Sequence, residues 1–101
     1  MYKPRYLPVA LADLDSIVDY IADTLHAPQA AINFIDAVET GVNRLLSNPY
    51  ICRVYQPIKP VDDEYRILEV KNYYVFYVVI GNIVEIRRVI YSKRDLSKII
   101  K

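Results

Sequence analysis

Arginine, lysine and tyrosine are the residues of this chain whose chemistry and spacing reach beyond packing. They concentrate in one stretch, as Arg66, Lys71, Tyr73, Tyr74, Tyr77, Arg87, Arg88, Tyr91, Lys93 and Arg94. A guanidinium presents paired donors that fit two oxygens of a phosphate or carboxylate, an ammonium adds a point charge, and an exposed phenol ring gives a face for stacking. Arginines beside tyrosines on a small sheet form a surface that meets an anion or a partner. The ordinary alternative is cross-strand pairing of the same arginines with Glu69 and Glu85. The single cysteine, Cys52, and the single histidine, His26, exclude an internal disulfide and a metal cluster, and no cofactor is expected. His26 falls at the end of a helical pattern, where it suits a helix C-terminus.

Three strands must position these groups. Residues 64–70, 73–80 and 83–91 are runs of β-branched and aromatic residues broken at Lys71-Asn72 and Gly81-Asn82, which is the punctuation of an antiparallel meander. The middle strand is apolar on both faces: Tyr73, Val75, Tyr77 and Val79 point one way, Tyr74, Phe76, Val78 and Ile80 the other. Covering one face with helices leaves the second to be buried or used.

Upstream, residues 2–7 resemble a short strand that Pro4 confines to a sheet edge. Pro8 opens a helix in which Leu11, Leu14, Ile17, Val18, Ile21 and Leu25 recur at three- and four-residue spacing, with Asp13, Asp15, Asp19 and Asp23 on the other side. A second helix runs from Pro28 to Ser47 with Phe34, Val38, Val42 and Leu45 in its stripe, and Asn48-Pro49 ends it. Gly41 weakens it unless it permits a close helix contact. Residues 49–63 form a Pro-punctuated loop. Leu96, Ile99 and Ile100 are spaced for a short C-terminal helix. The expected fold is α+β: an antiparallel sheet of about four strands, a helical hairpin packed on one face and a short C-terminal helix, in a single domain over residues 1–101.

Composition sets further bounds. The chain is 53% apolar with a net charge of +1, but residues 1–48 carry about −3 and residues 49–101 about +4, so the sheet end favours an anionic partner such as RNA or an acidic peptide. No apolar run is long enough to cross a membrane, and no signal segment appears, so a cytoplasmic location is expected.

The order strand, two helices, meander, terminal helix, together with Glu64-Tyr65-Arg66-Ile67-Leu68, Asn72-Tyr73-Tyr74-Val75-Phe76-Tyr77 and the closing Ser92-Lys93-Arg94-Asp95, resembles the RelE/ParE family of toxins from bacterial type II toxin–antitoxin systems, a class tied to plasmid stabilization. The resemblance implies a cognate antitoxin. It also implies one of two activities: RelE-like members are endoribonucleases (mRNA interferases) that cut mRNA on the ribosome, and ParE-like members poison DNA gyrase. Arg66 matches a strand lysine of RelE and Arg94 an arginine used for the phosphate, whereas Leu68, Tyr74 and Ile100 replace a lysine, an arginine and a tyrosine.

RNA cleavage on this frame would use Arg66, Arg88 and Arg94 to stabilise the phosphorane, and Tyr91 and Lys93 for proton transfer, with Glu85 as a further acid or base. Lys71, Tyr74 and Arg87 would bind substrate. Ribosome-dependent mRNA cleavage is the expected action, with gyrase inhibition, or a degenerate toxin that only binds antitoxin, as alternatives.

Overall fold

In the computed structural model, residues 1–57, 61–96 and 100 are described. The meander forms where the breaks predict it: β2 (Arg66–Val70), β3 (Tyr73–Ile80) and β4 (Ile83–Tyr91) are antiparallel neighbours. Lys71 and Gly81 open the two turns with φ of 56° and 57°, the left-handed region that glycine enters freely and lysine at a cost of roughly 1–2 kcal/mol. The first strand, β1 (Lys3–Tyr6), joins β4 in parallel, so the sheet is mixed, in the order β1-β4-β3-β2. This corrects the expectation of an entirely antiparallel sheet: the hairpin signals fix only the meander, and no short turn dictates the direction of β1. Lys3 N–H donates to the Asn82 carbonyl at 2.8 Å, which leaves the imino nitrogen of Pro4 on the outer edge, where it costs no ladder bond.

Pro8 begins α1 (Pro8–Asp19), and α2 spans Pro28–Leu45. Between them lies one π-helical turn, Tyr20–Thr24, closed by Leu25 N–H on the Tyr20 carbonyl. A π turn holds an extra residue per turn, and it rotates the residues after it out of the α-helical stripe. Leu25, expected in the buried stripe, is therefore 53% exposed. Leu11 is exposed as well, because it lies on the solvent flank of the row Ala10, Leu14 and Ile17 that α1 buries. His26 comes next at φ 52° and turns the hairpin.

Both helices cover one face of the sheet. Leu14, Ile17, Phe34, Val38 and Leu45 pack on Leu68, Val75, Tyr77, Val84, Ile86 and Val89. Gly41 makes the contact close: a Cβ there would stand 2.9 Å from Leu68 Cδ2. The opposite face is not left open. Ile67, Phe76 and Ile90 are covered by Tyr55, Val61 and Tyr65 from the loop before β2, and by Leu96 and Ile100. Of the expected C-terminal helix, residues 97–99 and 101 lie outside the described residues. Among those described, Ile100 N–H donates to the Leu96 carbonyl at 2.9 Å. No helix among the described residues is long and apolar enough to cross a membrane.

Candidate functional site

The eight residues that the sequence nominates fall into two classes, those already satisfied by the fold and those left open. Arg66 stands at the start of β2, opposite the isolated bridge to Val54. Its Nη1 donates to the carbonyls of Cys52 at 2.8 Å and Tyr50 at 3.4 Å, its Nη2 to Glu64 Oε1 at 3.2 Å, and its guanidinium lies 5.1 Å from the centre of the Tyr50 ring. The fork thus closes the loop that leads out of α2. Neither Glu69 nor Glu85 is its partner.

Arg87 and Arg88 part company at a β-bulge. Phe76 pairs with Arg88 and Tyr77 with Ile86, so Arg87 is the extra residue of β4. Its Nε donates to Glu85 Oε1 at 2.9 Å and its Nη1 to Asp63 Oδ2 at 2.6 Å. Glu85 receives Arg5 as well, at 2.8 and 2.5 Å. Burial pushes the Glu85 carboxyl up, but the hydrogen bonds from Arg5 and Arg87 outweigh it and hold the group below its ordinary value. Burial works against the Arg87 cation too, and its hydrogen bonds to Tyr65, Asp63 and Glu85 overcome this, holding its pKa above the usual one. Glu85 is therefore a structural anion that titrates far from neutrality.

Arg88 turns toward α1. Its Nε and Nη2 grip the two oxygens of Asp13 at 2.8 and 3.0 Å, and Val89 N–H donates to the same carboxylate at 2.9 Å. Past the end of β1 the edge of β4 would otherwise carry a bare N–H, and Asp13 supplies its acceptor. The hydrogen bonds to Asp13 raise the Arg88 pKa, against burial. Asp13 thus leaves the acidic outer face of α1 to which the sequence pattern assigns it. Its position four residues before buried Ile17 places it on the flank of the packed stripe, a signal available in the sequence.

Tyr74 packs edge-on to Phe76 at 6.1 Å, under the Arg53 guanidinium at 5.5 Å, and is half-buried. Among the described residues, the side chains of Lys71, Lys93 and Arg94 take part in no ion pair or hydrogen bond. Ser92 N–H on the Asn72 carbonyl at 2.9 Å and Arg94 N–H on the Tyr91 carbonyl at 3.0 Å fix the turn that presents them. Lys71, Tyr91 and Arg94 come together on the lining of an open cleft of about 990 Å³, whose deeper wall is Ile17, Phe34 and Val89. Tyr73 sits between Phe34 and Tyr91, at 5.1 and 5.7 Å. Burial, with the neighbouring Tyr20 and Tyr91 phenols, pushes its hydroxyl pKa up and away from general-base use. Tyr20 and Leu25 of the hairpin also line the cleft, and sequence reasoning misses them; the π turn that delivers them leaves no periodic signal.

The structure therefore brings Lys71, Tyr91 and Arg94 to one place and keeps Arg66, Tyr74, Arg87 and Arg88 elsewhere, tied to their own partners. Residues 5–96 match the profile of the ParE toxin of the type II toxin–antitoxin system parDE. The fold is similar to a chain of the chromosomal ParDE TA system from P. aeruginosa, with a TM-score of 0.73 and 21% identity over 92% of this chain and 98% of that one. It is also similar to a YafQ mutant from E. coli, with a TM-score of 0.53 and 16% identity over 90% and 93%. No curated protein matches the chain.

Proposed function

Because this chain belongs to the ParE toxin family of type II toxin–antitoxin systems, we propose that it arrests growth by inhibiting DNA gyrase and is neutralised by a cognate antitoxin. The observation that carries the choice of target is the engagement of Arg66, Arg87 and Arg88 with Cys52, Glu85, Asp63 and Asp13. An RNA-cleaving centre needs donors free to meet a phosphorane and a pair of groups to move protons. Turning Arg88 toward a phosphate would strip partly buried Asp13 of its counter-charge, a cost of several kcal/mol, and turning Arg87 would leave buried Glu85 with Arg5 as its one remaining cation. That argues against the strand arginines as phosphate ligands.

Ribosome-dependent mRNA cleavage is kept as a second reading for one reason: Lys71, Lys93 and Arg94 are uncommitted cations beside exposed Tyr91. The two readings separate in one strain. Induced expression is followed by primer extension on cellular mRNA, and the purified protein is added to a gyrase supercoiling assay. Gyrase inhibition predicts lost supercoiling, filamentous cells and a DNA-damage response without new mRNA ends. Ribosome-dependent new ends with gyrase unaffected would reverse the assignment, and no growth defect at all would mark a degenerate toxin that only binds its antitoxin.

A further inference from the structure

We infer that the Gly81-Asn82 end of the molecule, at the far end of β3 from the cleft, is the surface through which the chain grips its protein target, and that it fits an apolar face bordered by carboxylates. This rests on the gyrase reading above and gives that reading a contact surface. Short contacts assemble the surface. Tyr2 N–H donates to the Leu46 carbonyl at 2.9 Å and Lys3 N–H to the Asn82 carbonyl at 2.8 Å, so the first residues lie across the end of α2 and the β3–β4 turn. The Tyr2 ring meets Tyr50 edge-on at 6.4 Å, and Ile51 follows Tyr50 in the same loop. Ile80 stands at the flank, paired with Ile83, which also partners Lys3. Met1, Tyr50, Ile51 and Ile80 are exposed by 94%, 54%, 55% and 46%, and none of them joins either buried cluster. Folding does not use this apolar surface, and its concentration at one end marks a place of contact.

Charge decides what kind of partner fits. Lys3, beside Tyr2, and Arg44, two residues before Leu46, are exposed, and among the described residues their side chains take part in no ion pair or hydrogen bond. Glu64 offers them little, since its carboxylate is held at 3.2 Å by Arg66, whose guanidinium lies 5.1 Å from the centre of the Tyr50 ring. An aromatic and aliphatic centre with uncompensated cations around it is the anatomy of a protein-recognition surface. Its complement is a protein face with apolar recesses and Asp or Glu at their border. A DNA backbone is the poorer match: phosphates would satisfy Lys3 and Arg44, but they repay nothing for the aliphatic surface of Ile51 and Met1.

The surface is also prepared for contact. A Cβ on Gly81 would meet nothing within 4 Å, so the turn stands clear of the rest of the chain. Tyr50 is held from two sides, by Tyr2 and by Arg66, and loses little freedom when a partner closes over it.

The test titrates purified gyrase with the full chain, reading the half-inhibitory concentration in supercoiling and the dissociation constant for the enzyme. Wild type is compared with Ile51→Asp, with Lys3→Glu/Arg44→Glu, and with Ile32→Asp as a control, since Ile32 is exposed to the same 55% on α2. Thermal melts confirm folding; where a variant fails to fold, Ile51→Ser or Lys3→Gln/Arg44→Gln takes its place. The expected result is a loss of roughly tenfold or more in both readouts for the two surface variants, a weaker salt dependence of binding for the charge reversal, and wild-type behaviour for Ile32→Asp. Folded surface variants as potent as wild type overturn the assignment and leave the gyrase reading intact, as does an equal loss in the control. A wild type that neither binds nor inhibits gyrase overturns that reading, and the surface with it. A loss confined to the charge reversal, with a 30-base-pair duplex held by wild type and released by that variant, would give this end of the molecule to DNA and overturn the protein contact.

Discussion

Arg66 and Arg94 carry the same guanidinium and stand at equivalent points of the family resemblance, yet their surroundings give them different work. The Arg66 side chain is only 16% exposed and donates to two backbone carbonyls of the Tyr50–Cys52 loop, so its loss removes both hydrogen bonds. Arg66→Ala should lower stability by about 1–3 kcal/mol, visible as a drop of several degrees in Tm, with toxicity falling only as the folded fraction falls. Arg94→Ala should leave stability unchanged within about 0.5 kcal/mol while weakening whatever the cleft binds. Melting curves and growth arrest on the two variants distinguish them; equal Tm losses would make Arg94 a structural residue too. The sequence places both arginines on the sheet surface, and it cannot show that one of them is consumed by a loop of 15 residues whose own path is not periodic.

At the level of elements, patterning carries most of the fold. Alternation, two-residue turns and Pro8, Pro28 and Pro49 locate the three meander strands and both helices within a few residues. What escapes is what breaks a period. The bulge at Arg87 shifts the facing of β4 by one residue, and the π turn at Tyr20–Thr24 does the same for the end of the first helix, so Arg88, Leu25 and Tyr20 all land where a strict repeat does not put them. The direction of β1 is equally hidden, since parallel and antiparallel edges share one hydrophobic pattern. Gly41 is legible with its reason: it is the point where α2 meets Leu68 at the limit of contact. Gly41→Val adds branched carbons where even a Cβ would sit 2.9 Å from Leu68, and it should destabilise by about 1–3 kcal/mol despite the better helix former. Urea unfolding measures it. A more stable valine variant would mean that the hairpin can lift off the sheet without loss.

On the scale of the molecule, Arg5, Glu85, Arg87 and Asp63 link β1, β4 and the loop before β2 into one network around a buried carboxylate. Because the folded Glu85 carboxyl titrates below its ordinary 4.5, the unfolded chain binds its proton first as pH falls. The contribution is complete above about 4.5 and disappears as pH drops through the folded value. Glu85→Gln should therefore be less stable than wild type at neutral pH, with the gap closing in acid; a constant gap from pH 7 to pH 3 would show that the charge is irrelevant. The same network has a temporal meaning. Arg5 and Glu85 lie 80 positions apart, and β1 pairs with nothing except β4. On a ribosome adding about 5–20 residues per second, the first strand waits roughly 4–16 s for its partner to be made. Through that interval the helices exist without the strand that closes their sheet, and β1 has nothing to pair with. A chain built this way cannot complete its sheet until nearly all of it has been made.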